Sequence, residues 1–232
     1  MQPFALNSNK QFRSVPYPPL TSQKYLEDYN EVKMIGQENS THITEDEAFI
    51  AGFWYELSEM GWNKIARKVA VREELNLAET ARLFALLDIA LADSYIAGFE
   101  SKYYYNFWRP YTAIMAAYED GNDQTEPLAG WVSSQPTPPV PDYPSTHSAL
   151  GNAGATVLAY IVGDDTEFTF QSTTGIPAEQ TRTFQSFTQA ADENANSRVL
   201  AGIHFRTACD VGQKLGDDVG AWVISNYLRP LD

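Results

Sequence analysis

Cysteine is almost missing from this sequence of 232 residues: Cys209 stands alone, which excludes an intrachain disulfide and any thiolate metal cluster. Positive charge is scarce too, with 16 Lys and Arg against 30 Asp and Glu and a net charge of −14. Duplex nucleic acid and anionic membrane surfaces select basic footprints, so neither is an expected partner. Long apolar runs are lacking: the longest mainly apolar stretch, 153–163, has about half of the roughly 20 residues that span a bilayer. Met1-Gln2-Pro3-Phe4 carries neither the basic nor the apolar stretch of a signal peptide, and the compartment stays unassigned. No internal repeat or low-complexity tract is visible. What the chain has in quantity is hydrophobic residues, 44%, with only 20% charged, and a stock of 5 Trp, 13 Tyr and 12 Phe. That balance predicts a soluble, packed globule with a bulky core.

The first 40 residues hold Pro3, Pro16, Pro18 and Pro19 with little periodicity, and are expected as an extended N-terminal arm. Residues 41–232 are expected as a single helical domain. Thr44-Glu45-Asp46-Glu47 fits a capping box, with Ile43 as staple, and Phe49, Phe53, Leu57 and Met60 follow at helical spacing. Gly61 is read as closing that helix and Trp62–Glu73 as the next. A third opens at Asn76-Leu77-Ala78-Glu79 and runs toward Tyr105, apolar almost all round, as a buried central helix. The stretch 120–143 reads as loop, stiffened by Pro136, Pro138, Pro139 and Pro141. Pro144-Ser145 opens a helix to about Val162, residues 168–170 suit a short strand, and Phe184, Phe187, Ala191, Ala195 and Val199 mark another helix. A last one spans about Phe205 to Tyr227. The fold class this predicts is an all-α helical bundle with long irregular loops.

Three segments concentrate the chemistry. Lys102 and Arg109 are seven steps apart, about 700° of helix, so a continuous helix would project both from one side. Tyr103, Tyr104, Tyr105, Phe107 and Trp108 crowd them, which suggests partly buried cations that need an anion. Ser145 is placed as an N-cap, leaving the amides of Thr146 and His147 free at a positive helix end, with His147 positioned for acid–base work. Arg198 and His204 are six steps apart, about 600°, and converge only if the chain breaks between them, for which Gly202 is the suited residue. Together these residues describe a pocket for a tetrahedral or trigonal-bipyramidal oxoanion, with one histidine free to bond the central atom.

Lys102-x6-Arg109-Pro110, Pro144-Ser145-Thr146-His147 and Ser197-Arg198-x5-His204 resemble the three-part signature of the superfamily joining type 2 phosphatidic acid phosphatases, bacterial acid phosphatases and vanadium-dependent haloperoxidases. The match covers residues 102–210. Asn106-Phe107-Trp108-Arg109-Pro110, the 143–148 segment and Ala90-Leu91-Ala92-Asp93 are similar to the soluble bacterial haloperoxidase branch in particular. The resemblance implies vanadate as cofactor, or phosphate or sulfate in the same site, held by Lys102, Arg109, Arg198, Ser145 and the amide of Thr146. It implies His204 as the axial vanadium ligand, His147 as acid–base group, and Asp93 as a partner behind one of the cations. The implied co-substrates are hydrogen peroxide and halide. A second reading is a soluble phosphomonoesterase acting on a small phosphoester through a phosphohistidine at His204; a third is a non-catalytic oxoanion-binding or structural helical domain. Relatives of this kind are longer, which leaves room for a homo-oligomer. The sequence departs from the family twice: Thr146 replaces the usual glycine, and Ala208 replaces the aspartate four residues after the last histidine, with the next acid at Asp210.

Overall fold

The computed structural model describes residues 1–176 and 180–229. Among them are eight α-helices: α1 (Gln23–Ile35), α2 (Glu45–Phe53), α3 (Ser58–Arg72), α4 (Leu77–Tyr105), α5 (Pro110–Met115), α6 (Thr146–Val162), α7 (Phe187–Leu200) and α8 (Arg206–Asn226). A two-stranded antiparallel hairpin, β1 (Phe168–Gln171) with β2 (Thr181–Phe184), pairs Phe168 with Phe184. The architecture is the all-α bundle expected from the periodicity. α6 lies at its centre, packed chiefly on α8 and also on α4 and α7. Gly212, Gly216 and Gly220 recur every fourth residue along α8, where a Cβ would meet atoms of Ser145, Ala149 and Thr156. This row lets the two helix backbones approach closely.

Local chemistry explains most boundaries. Thr44 and Glu47 form the full capping box of α2, and Asn76 and Glu79 do the same for α4. α4 runs 29 residues but buries only one side, 12 residues between Leu83 and Lys102, so it is not the central, all-round buried helix that its composition suggests. Three further expectations need correction. The first 40 residues are not all an extended arm, because α1 occupies 23–35, capped by Ser22, with Tyr25, Leu26, Tyr29 and Val32 buried. Its apolar stripe is partly tyrosine, which blurs the periodic signal. The helix expected through Gly61 stops at Phe53; α3 starts at Ser58, and Gly61 lies inside it, facing the ring of Phe170 at 3.4 Å from a built Cβ. Phe184 belongs to β2 rather than to the following helix, which begins after the Ser186 cap.

Two apolar cores share the interior. The larger joins α2, α3, α4, α6, α7 and α8 with the hairpin around Trp54, Trp62, Leu87, Leu158, Phe170 and Phe187. The smaller gathers Tyr25, Tyr29, Ile114, Trp131, Val199 and Phe205 from α1, α5, α7, the loop before α6 and the turn before α8. No described helix is long and apolar enough to cross a membrane.

Candidate active site

Lys102 and Arg109 do not sit on the one continuous helix that their spacing suggests. α4 ends at Tyr105 with Asn106 in the left-handed region (φ 48°), and Arg109 becomes the N-cap of α5, with Pro110 at its first position. They converge through the proline-rich strap 133–143 instead. Nζ of Lys102 donates to the carbonyls of Pro141 (2.7 Å) and Asp142 (2.8 Å), and Nε of Arg109 donates to that of Val140 (2.7 Å). Prolines have no N–H to spend on a ladder, so the stiff strap can turn its carbonyls inward. Of the aromatics expected to crowd the pair, Tyr103 and Tyr104 face solvent. Phe107 does pack inward: it stacks on Tyr17 at 4.0 Å between ring centroids, beside Tyr143 and Phe205. Phe107, Tyr143 and Phe205 are each within two residues of a site segment, so one aromatic cluster buttresses all three.

The second segment forms the N-terminus of α6. Ser145 is fully buried and its Oγ accepts from the amide and hydroxyl of Ser148. Its own N–H donates to the carbonyl of Ala208 (2.8 Å). The amides of Thr146 and His147, first and second in the helix, have no intrahelical carbonyl to reach and stand at the positive end. The bulk that Thr146 adds is taken up by α4: a Cβ built on Gly98 would come within 2.5 Å of the Thr146 methyl. The absence of a side chain at Gly98 leaves the space that the Thr146 methyl fills.

Arg198 and His204 are brought together by the predicted break. α7 ends at Leu200, and Gly202 adopts φ +74°, with its N–H on Val199 and that of Ile203 on Arg198. Arg198 Nη1 donates to the carbonyl of Trp54 (3.2 Å), while its Nε has no partner among the described residues. Nη1 of Arg109 lies 2.6 Å from the carbonyl of Ile203 and 3.1 Å from Nε2 of His204. Arginine can only donate, so this contact requires the lone pair on Nε2 and the ring proton on Nδ1. Nδ1 lies 2.8 Å from Oδ1 of Asp142.

Asp142 was missed by sequence reasoning, and its carboxylate lies against Nδ1 of His204, where Ala208 leaves no acid. Asp210 does not lie there, being exposed on α8. Asp142 comes from the strap, 62 residues before His204 in sequence, and nothing local marks it. Asp93 does not back a cation either. Its buried carboxylate accepts the N–H groups of Phe4 (2.7 Å), Ala5 (2.7 Å) and Leu6 (2.9 Å), pinning the arm to α4.

The electrostatics are those of a site short of negative charge. Burial, reinforced by Arg109, holds Lys102 well below the usual ammonium range, and burial brings Arg198 down to about 10. Burial also lowers both imidazoles. Arg198 adds to the effect at His147, and Arg109, Lys102 and Arg198 add to it at His204. Both rings are therefore neutral at pH 7. Asp142 is pushed up to about 7 by its burial, against the pull of Arg109 and Lys102. Three buried cations, free helix-end amides and two neutral histidines form a receptor able to take a small oxoanion, with an imidazole lone pair available to its central atom.

Comparison with known proteins agrees with the geometry. Residues 82–232 match the VCPO second helical-bundle domain family. The vanadium chloroperoxidase of Curvularia inaequalis is 34% identical over 110 residues, 40% of this chain and 18% of that protein. A bacterial vanadium-dependent iodoperoxidase superposes with a TM-score of 0.81 at 33% identity, over 97% of this chain and 55% of that one. A holo-type bacterial vanadium-dependent chloroperoxidase shares the fold, with a TM-score of 0.77 at 18% identity over 96% of this chain and 52% of its own. The chain thus spans about half the length of these solved relatives and less of the fungal one. It belongs to the family of the vanadium chloroperoxidase second helical-bundle domain.

Proposed function

We propose that the protein binds vanadate and oxidises halide with hydrogen peroxide. The observation that carries this reading is the convergence of Lys102, Arg109 and Arg198, all buried, around the neutral His204, with Asp142 as the carboxylate against it among the described residues. Such a pocket is deficient in negative charge, and Arg198 Nε, buried with no partner among the described residues, is a donor suited to an anion oxygen. The three cations, Ser145 and the amide of Thr146 would hold the oxoanion, and Nε2 of His204 would ligate vanadium in place of its contact with Arg109. When bound, vanadate supplies a Lewis-acidic centre that activates peroxide toward halide. His147, held neutral, would take up and return a proton at Nε2. The groove beside Arg109, about 900 Å³ and lined by Trp108, Tyr111, Gln135 and Pro138, offers small co-substrates a route to that cation.

A second reading, phosphomonoester hydrolysis through a phosphohistidine, is favoured by one observation. Asp142 stands 2.8 Å from Nδ1 of His204, where a nucleophilic imidazole needs a partner. Incubation with orthovanadate, then peroxide, bromide and a phenol indicator, tests the first reading. Bromination that disappears in His204→Ala is expected, and no turnover at any vanadate concentration would sink it. Hydrolysis of an aryl phosphate, inhibited by vanadate, would select the second. Oxoanion binding without either activity would leave a non-catalytic binding domain.

A further inference from the structure

The stretch 54–58, between α2 and α3, lies outside all three motif segments and outside the family match, yet it closes one wall of the pocket. The carbonyl of Trp54 accepts from Arg198, the Tyr55 ring lies 5.5 Å from the same guanidinium, and the Tyr55 hydroxyl donates to the strap at Pro136 (2.8 Å). Ser58, the first residue of α3 and buried, places Oγ 2.9 Å from Nδ1 of His147. The turn is itself fixed. Glu56 is buried, pairs with Lys64 and accepts the amide of Thr173 (2.8 Å), while Trp54 stacks between Trp62 and Phe170.

We propose that Ser58 is the positioning residue for His147, holding the imidazole by Nδ1 so that Nε2 faces the pocket. This rests on the acid–base role given to His147 above. Ser58 Oγ is the described partner of Nδ1, whereas Nε2 is buried with none. Asn194 Nδ2 donates to the His147 carbonyl at 3.3 Å, and the Asn194 side chain and the Trp54 carbonyl also lie against the ring. Without Ser58, Nδ1 loses the one partner that holds it among the described residues.

The choice of partner also separates the two histidines. A carboxylate beside Nδ1, as Asp142 is to His204, favours one arrangement: proton on Nδ1, lone pair on Nε2. A hydroxyl both donates and accepts. With a proton on Nε2 of His147, Ser58 donates to the Nδ1 lone pair. With Nε2 bare, the Nδ1 proton is donated to Ser58 Oγ, and it is still donated there when Nε2 takes up a proton and the ring becomes an imidazolium. A serine therefore bonds Nδ1 in every proton state of the ring, whereas a carboxylate bonds it only while Nδ1 carries its proton.

The test compares Ser58→Ala and Ser58→Thr with the parent chain. With only three histidines, ¹⁵N-imidazole labelling resolves His147 from His42 and His204 in the vanadate-free protein. Ser58→Ala should move the Nδ1 resonance of His147 and leave the other two rings unchanged. In the vanadate-loaded protein it should lower kcat for bromide oxidation about 10–100-fold, the usual cost of removing such a partner, at unaltered vanadate affinity. Ser58→Thr, which keeps the hydroxyl, should restore both. An unmoved Nδ1 resonance overturns the proposal, and so does a loss of vanadate affinity in step with kcat. Absence of bromide oxidation in the parent chain would instead overturn the functional reading, and the imidazole spectrum would still decide whether Ser58 holds the ring.

Discussion

The crossing of Gly36 and Gly202 sets how His204 is presented, and its cost can be worked out from the geometry. Gly202 sits at φ +74°, and a Cβ there would run into the carbonyl of Gly36 and come within 3.0 Å of the Ser133 side chain. Gly36 has an ordinary φ of −89°, but its Cβ would lie 2.5 Å from the Gly202 Cα and 2.7 Å from the carbonyl of Val199. These neighbours are mostly backbone and cannot rotate away. Gly36→Ala therefore isolates the steric part, about 1–3 kcal/mol for overpacking. Gly202→Ala adds the left-handed backbone penalty of about 1–2 kcal/mol, for a total of about 2–5 kcal/mol. For a chain of this size that lowers Tm by roughly 5–20 °C. Because both substitutions enlarge one contact, the double variant should lose less than the sum of the two. Urea unfolding of the four proteins measures all three quantities. If Gly202→Ala is within about 0.5 kcal/mol of the parent, the backbone crossing does not have the tightness described and the reasoning fails.

Arg198→Met should leave the stability of the anion-free protein within about 1 kcal/mol, since its Nε is unpartnered and one bond to Trp54 is lost. At vanadate or phosphate concentrations of 100 times Kd the parent should gain about 2.7 kcal/mol, and the variant most of that less; equal shifts in a melting assay would refute a role in anion binding. Gly98→Ala should destabilise by about 1–3 kcal/mol through its collision with the Thr146 methyl, and adding Thr146→Gly should recover most of the loss in the same assay. Asp93→Ala strips three backbone N–H groups of their acceptor and should release residues 4–6, accelerating hydrogen exchange of the Ala5 and Leu6 amides by at least about 30-fold, or about 2 kcal/mol; unchanged exchange would mean the arm is held otherwise.

Features encoded by neighbours along the chain are legible in the amino-acid sequence. The capping boxes at Thr44 and Asn76, the Ser145 N-cap and the break at Gly202 each depend on a few consecutive residues. The cations of the site are legible in the same way, although Lys102 and Arg109 meet through the strap and not along one helix, because Asn106 ends α4 between them. What escapes is long-range. Asp142 reads as one more loop acid, and nothing around it announces His204. Asp93 lies on the same helix as Lys102, nine residues earlier, which invites a partnership with the site, yet it is taken up by backbone from the other end of the chain. Ser58 reads as part of a continuing helix, since Phe53 and Leu57 keep the period across the break at 54–57.

The strap carbonyls that hold Lys102 and Arg109 have a consequence for the speed and tightness of anion capture. A free lysine or arginine gives up about 2 kcal/mol of rotamer entropy when it is immobilised. Here Pro141 and Asp142 fix the ammonium, and Val140 and Ile203 fix the guanidinium, before any anion arrives. That ordering is accomplished during folding, so the binding step need not repeat it. On the proposed reading the receptor is preorganised: an incoming oxoanion would meet cations already in position, at the cost of a folded state that keeps like charges close together while it waits.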